Sequence, residues 1–552
     1  MSMQSWLIAQ ADPAAPAAAT APGPGAAAAS PSAAAAASSP PAAAKPANTF
    51  NIFEYRVEGN TLLKNADIEN SVYPYLGEDK GVKDVEAARK DLEKVYHDHG
   101  YLTVLVNIPQ QKIVDGVVML KVIEAPVGKL SVTGSQYHSL EVIKETVPQL
   151  AEGTVPDFNE VQKELTELNR GADRRVTPVL RASQTPGQVD VDLQVKDELP
   201  LHASVDVNDH YSANTSHLRT IGDLRYDNLF QLGHSVDLQY QTSPLNTSDV
   251  QVWSLSYVIP TSGSAVWALY AVHSDSNVSA VGSLSVIGNG DIYGVRFIDP
   301  LPGGDAGFYH SISAGLDYKS FKQDVVVQGS DSSISTPIHY LPFSLQYSAN
   351  WLQPPAPGSS AAAVTSNTGL TLGLSFALRG LATNNQDFDV KRFGASSSYV
   401  IFHPALERLQ ALPYNWSLLA RLDGQLSTGP LISNEQYAAG GADSVRGYVE
   451  SERLGDEGLR TNLELRTPGL LSRYSARIEQ SYLFLFAEAA RLQVVEALAT
   501  QESHFYLGSC GLGLQFKARG LSVHLDGART LTDGSVTRGN ANRGLFEVSY
   551  GF

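Results

Sequence analysis

From residue 200 to the carboxy-terminus the sequence alternates apolar and polar side chains in short segments, and a period of two admits strands with one apolar face. Val236, Leu238 and Tyr240 interleave with Ser235, Asp237 and Gln239, and Trp253, Leu255 and Tyr257 with Ser254 and Ser256. Trp416, Leu418, Ala420 and Leu422 alternate with Ser417, Arg421, Asp423 and Gln425. Leu463 and Leu465 do so with Asn462, Glu464 and Arg466, and Leu512, Leu514 and Phe516 with Gly511, Gly513, Gln515 and Lys517. A soluble sandwich buries its apolar faces between two sheets, whereas a barrel in a bilayer turns them outward. Long segments, aromatics near their ends and the loss of any helical period favour the barrel, and no helix is expected between residues 200 and 552. No run of 18 or more apolar residues occurs, which rules out a conventional transmembrane helix. At about twenty-two residues per strand and loop, about sixteen antiparallel transmembrane strands are expected.

The last segment narrows the reading. Phe546, Val548, Tyr550 and Phe552 share one face, with Glu547, Ser549 and Gly551 on the other. A strand that finishes on an aromatic carboxy-terminus resembles the assembly signal of bacterial outer-membrane barrels. That resemblance implies two partners, the outer-membrane lipid bilayer and the outer-membrane assembly machinery.

A net charge of -17 argues against nucleic acid as a partner, because a phosphate backbone needs a basic face. Cys510 is the single cysteine, so neither an intramolecular disulfide nor a cysteine-rich metal site can form. Residues 1–11, with Ala9 and Ala11 before Asp12-Pro13, resemble the end of a secretory signal, although a basic start and most of an apolar stretch are missing. Residues 12–48 are almost entirely Ala, Pro, Ser and Gly and read as a flexible linker.

Between linker and barrel a small α/β pattern occurs twice. In residues 49–126, Phe53, Tyr55 and Val57 mark a first strand, and helices are expected over Asn65 to Leu76 and Val82 to His99. Val85, Ala88, Leu92 and Val95 line one face of the longer helix, Gly100 stops it, and strands follow over Leu102 to Ile108 and Gly116 to Glu124. Residues 127–199 repeat the order β-α-α-β-β: a strand with Leu130 and Val132, helices over Leu140 to Leu150 and Asn159 to Asn169, and strands over Val176 to Ala182 and Val189 to Val195.

The connection between a strand ending near Thr428 and one starting near Leu459 is, at about thirty residues, too long for a hairpin. It contains Gly440-Gly441 and Val445-Arg446-Gly447-Tyr448. Such a loop folds onto something, and inside a lumen Arg446 needs a carboxylate to offset its desolvation. At these residues the chain resembles the two-partner-secretion transporters of the outer membrane (TpsB type, the haemolysin secretion/activation proteins), within the superfamily of barrels with POTRA domains. The resemblance covers residues 50 to 552. It identifies Val445, Arg446, Gly447 and Tyr448 with the signature of the sixth extracellular loop, which tucks into the barrel. It makes residues 49–126 and 127–199 two POTRA domains and residues 200–552 an outer-membrane barrel. The family's loop arginine pairs with an acid in a phenylalanine-x-aspartate-x-glycine motif. Here those positions read Phe486, Ala487, Glu488, Ala489 and Ala490, so Glu488 stands where aspartate is usual and Ala490 replaces the glycine. Parity puts Tyr482, Phe484, Phe486 and Glu488 on one face.

The other candidates are weak. His97 and His99 are two apart on a helix end and face different ways, so a solvated helix end fits them better than a metal. No nucleophile elbow, no phosphate-binding glycine loop and no nucleophile constellation near Asp209-His210 is found, so no catalytic residue, metal or cofactor is assigned and an enzyme is not expected. The implied function is an outer-membrane pore that captures a large, unfolded exoprotein through periplasmic POTRA domains and secretes it through the barrel. An insertase for other barrels and a passive solute porin are the rival readings.

Overall fold

The computed structural model describes residues 49–552 except 262, 277–278, 282–283, 287, 304–306, 323, 327–332, 336, 354–364, 382–383, 472–474 and 476. The signal-like residues 1–11 and the linker 12–48 lie outside the described residues. The described chain divides between Leu199 and Pro200 into two compact units.

The amino-terminal unit holds two three-stranded sheets, each with its own apolar core. In the first, the strand Glu54–Glu58 runs parallel to Val117–Glu124, which pairs antiparallel with Val104–Asn107. The helix Val82–Asp98 buries Val85, Ala88, Leu92 and Tyr96 against it, and Asp84 caps that helix by accepting the Gly81 N–H at 2.8 Å. Phe53 is exposed, just ahead of the strand, and a short hairpin of Phe50–Ile52 with Gly77–Lys80 is an addition to the expected order. The first helix ends at Val72 and not at Leu76, because Pro74 has no N–H to continue it and the chain tightens into the 3-10 turn Tyr73–Tyr75.

The second sheet has the same plan. Val127–Thr133 lies parallel to Val189–Asp197, which pairs antiparallel with Arg174–Ala182. Pro148 breaks the expected long helix into Leu140–Glu145 and the turn Pro148–Leu150, and Asp157 caps Phe158–Leu168 through the Asn159 N–H at 2.9 Å. Asp197 ends the central strand and accepts the N–H groups of Gln136, Tyr137 and His138 at 2.9 to 3.2 Å. Burial opposes its charge, but those donors prevail and hold the carboxyl at about 2.

The carboxy-terminal unit is a closed antiparallel barrel of sixteen strands, counted among the described residues, with the eighth broken at Leu341 into Ile338–Tyr340 and Pro342–Gln353. The first strand, Leu201–Asn208, pairs with the sixteenth, Asn542–Gly551. Phe552 extends that seam by exchanging backbone hydrogen bonds with Ala203 at 3.0 and 3.1 Å. Leu238, Trp253, Leu255, Trp267 and Leu269 stand exposed on the outer wall, where a bilayer would cover them. Phe546, Val548, Tyr550 and Phe552 share that outer face, and Tyr550 and Phe552 are exposed on it. Tight turns, such as those between Leu229 and His234 and between Ala518 and Leu521, lie at the end that carries the terminus, and the longest described loop, between Ser427 and Glu457, lies at the other.

One expectation fails. The barrel unit does contain a helix, Asn385–Lys391, in the loop between the ninth and tenth strands, Ser366–Ala377 and Tyr399–Ala411. Seven residues with one buried apolar side chain, Phe388, are too few for a helical period to show in the sequence.

Candidate functional site

The long loop runs from the end of the eleventh strand, Ser417–Ser427, to the start of the twelfth, Glu457–Arg466. It folds inward and packs on the wall. Val445 and Tyr448 are fully buried with Ala490, Leu492 and Leu507, the inward residues of the thirteenth and fourteenth strands, Ile478–Gln493 and His504–Ala518. Ala490, at the motif's glycine position, thus contributes a methyl group to the loop's seat.

Arg446, 3 % exposed, sits in a cage of three carboxylates. Its Nη2 lies 2.6 Å from Glu488 Oε1 on the thirteenth strand and 2.9 Å from Glu464 Oε1 on the twelfth. Nη1 is 3.4 Å from Asp526 Oδ1 on the fifteenth strand, Leu521–Thr530. Glu488 also accepts the Arg446 Nε–H at 2.8 Å and its backbone N–H at 2.6 Å, so one acid fixes both side chain and main chain. Asn462 and Ser509 donate to the same carboxylate. Beneath the guanidinium lies the Phe486 ring, 3.7 Å from Arg446 Cζ to its centroid, with Phe484 at 5.4 Å. Phe486 can lie flat on the wall because its neighbour is Gly511, where a Cβ would come within 2.5 Å of the ring.

Further charges extend the cage. Arg466 pairs with Glu464 at 2.8 Å and His524 Nε2 lies 2.9 Å from Asp526 Oδ2. A buried pair is stable only when its remaining lone pairs and protons are satisfied, and here every acid has at least two partners. Gly447, at φ +94°, turns the chain where a Cβ would press on Thr530 and Ala528 at 3.1 and 3.3 Å. Tyr448 donates to Thr532 O at 2.7 Å, and Arg543 of the sixteenth strand donates to Tyr448 O at 2.8 Å.

The loop is tied at two more points. Glu452 accepts the N–H groups of Val536 and Thr537 at 2.6 and 3.0 Å; burial opposes its charge, but these donors hold its carboxyl below the usual range. Glu435 receives Lys319 Nζ at 2.6 Å from the seventh strand, Phe308–Lys322.

The structure thus brings Val445, Arg446, Gly447, Tyr448, Phe486 and Glu488 into one place, while Phe546, Val548, Tyr550 and Phe552 lie apart from it on the outer face. Glu464 and Asp526 were not identified from sequence as partners of Arg446. Their inward parity was readable, but the stagger that aligns three strands with one loop tip was not. His97 and His99 satisfy their rings on backbone carbonyls, Val104 O at 3.2 Å and Val95 O at 2.8 Å.

Comparison with known proteins places these features in context. A family model for the ShlB-type POTRA domain matches residues 50–125, and one for the haemolysin secretion/activation protein ShlB/FhaC/HecB matches residues 360–486. The outer membrane transporter CdiB of Dickeya dadantii (strain 3937) is 22% identical over 438 residues, covering 75% of this chain and 72% of its own. Among solved structures, CdiB from Escherichia coli shares the fold with a TM-score of 0.59 at 16% identity, over 93% of both chains. BamA from Haemophilus ducreyi lacking POTRA domains 1–3 does so with a TM-score of 0.53 at 16% identity, over 91% of this chain and all of that one.

Proposed function

The chain belongs to the two-partner-secretion transporters of the bacterial outer membrane, the TpsB family, and on that premise we propose that it secretes a large, unfolded exoprotein through its lumen. Its barrel lies in the outer membrane and its POTRA region in the periplasm, so the loop end of the barrel faces outside. Residues 49–126 and 127–199 act as two POTRA domains that capture the exoprotein. Each sheet has edge strands, among them Glu54–Glu58 and Val127–Thr133, on which an extended chain can add by backbone hydrogen bonding. Val104–Asn107, in contrast, is covered by its helix, Glu93 accepting the Val106 N–H at 3.1 Å and Arg89 donating to Val106 O at 3.2 Å. Arg174–Ala182 is a poorer edge, because Pro178 removes a donor from it.

The observation that carries this reading is the buried Arg446 cage. A passive porin needs no loop bound into its lumen by three carboxylates, whereas a conduit for polypeptide needs a lumenal element to guide the chain or to yield to it. Comparing the proteins in the medium of cells with and without this gene tests the proposal. One large missing species is the expected result. Depletion of many outer-membrane barrels would favour an insertase, and an unchanged medium with altered solute uptake a porin.

The last strand is proposed as the signal read by the outer-membrane assembly machinery. Deleting Phe552 removes an exposed aromatic and the two backbone hydrogen bonds to Ala203. Outer-membrane levels of the protein should fall several-fold by immunoblot, and unchanged levels would contradict the assignment.

A further inference from the structure

A second loop reaches into the lumen. Its helix, Asn385–Lys391, is capped by Asn384, whose side chain accepts the N–H groups of Gln386 at 3.1 Å and Asp387 at 3.3 Å. The helix drives Phe388 to 1 % exposure, with its ring 5.5 Å from Tyr340 and 6.3 Å from Tyr399 on the eighth and tenth strands. The same apolar cluster continues to Val252, Ile292 and Phe321 on the fourth, sixth and seventh strands, and it takes in Leu431 and Ile432 from the base of the Arg446 loop. Inward positions of a wide barrel are ordinarily polar and wet. Here they form a dry core that spans the wall from the fourth strand to the tenth, and Phe388 fills it from above.

A buried ion pair holds the helix there. Arg392, the residue after the helix, forks onto the Asp456 carboxylate, with Nη2 2.6 Å from Oδ2, and also donates to Leu431 O and to Val495 O. Asp456 is fully buried and accepts the N–H groups of Leu431 at 2.9 Å and Val495 at 2.7 Å and the Gln436 Nε2 at 3.1 Å. One carboxylate therefore joins three loops, and among the described residues Arg392 is the cation in contact with it. Without that cation a charge would remain buried and uncompensated, a state proteins avoid.

We infer that residues 384–397 are a lid on the outer mouth of the pore, sealed by Phe388 and latched by the Arg392–Asp456 pair, and that the lid must leave before polypeptide can pass. The inference rests on the lumen being the route, as proposed above, and adds the element that keeps the route shut. Because the latch acid terminates the loop that carries Arg446, displacing that loop pulls on the latch. Lid release and loop movement are thus coupled.

The test is conductance of the full-length protein in planar lipid bilayers, which needs no exoprotein. Phe388→Ala and Arg392→Ala should raise the open fraction at least about tenfold, which corresponds to about 1.4 kcal/mol. Arg392→Lys, which keeps the charge but loses the fork, should fall between, and Val390→Ala, at an exposed position of the same helix, should behave as wild type. Folding is read from the heat-modifiable band of the barrel. If a variant loses that band, replacing residues 385–391 by a Gly/Ser segment must open the pore instead. Folded variants, or a folded replacement, that stay as closed as wild type overturn the lid. If the variants open the pore in the bilayer while cells without this gene lack no species in their medium, the secretion reading falls and the lid stands.

Discussion

Arg446→Ala is expected to leave the barrel in the outer membrane and to reduce the exoprotein in the medium to background. The substitution leaves Glu488, 2% exposed in its side chain, without a cation, and leaves Glu464 and Asp526, 8% and 3% exposed, with Arg466 and His524 alone. Removing one partner of a buried pair costs about 3–5 kcal/mol, because the remaining charge cannot recover its hydration. That cost falls on the seat of the loop and not on the strand ladders, whose backbone hydrogen bonds do not involve Arg446. The loop should therefore lift from the wall while the heat-modifiable barrel persists. Arg446→Lys should recover little, since one ammonium cannot reach three carboxylates and lie flat on Phe486. A normal amount of exoprotein from a folded Arg446→Ala protein would refute the loop's role.

Glu488→Ala should be nearly as damaging. It takes the acceptor from the Arg446 backbone N–H and Nε, from Asn462 and from Ser509. The cost is again about 3–5 kcal/mol, because Arg446 keeps only the shared Glu464 and the more distant Asp526. Since both substitutions remove the same contact, Arg446→Ala/Glu488→Ala should destabilise the loop by clearly less than the sum of the two. Thermal melting and protease access to the loop would read this, and simple additivity would show that the two residues act separately.

How much of this could be read from the sequence differs by element for physical reasons. Period two alone fixes which side of each strand meets lipid, and the bilayer fixes strand length, so sixteen strands followed from spacing. Pro74 and Pro148 stood in the sequence as helix stops, and the shorter helices follow from the missing N–H. The cage around Arg446 is another matter. Glu464 and Asp526 belong to the twelfth and fifteenth strands, and their convergence depends on the stagger of strands around a closed wall, which no local pattern encodes. The lid was missed altogether. Its helix has seven residues, and only the cap Asn384 ahead of Gln386-Asp387 marked it. The dry core beneath it was equally hidden, because Val252, Ile292, Phe321 and Tyr399 look like members of any apolar strand until parity is counted outward from the barrel's closure.

The order in which the barrel can be built also follows from where the loop is held. The acids that seat Arg446 come from the twelfth, thirteenth and fifteenth strands, and the residue that accepts from Arg543 of the sixteenth is Tyr448 in the same loop. A half-made sheet that ends before the fifteenth strand offers no complete seat, however early in synthesis the loop itself emerges. Docking of the loop is therefore a late step of assembly, and a docked Arg446 certifies that the wall behind it is finished.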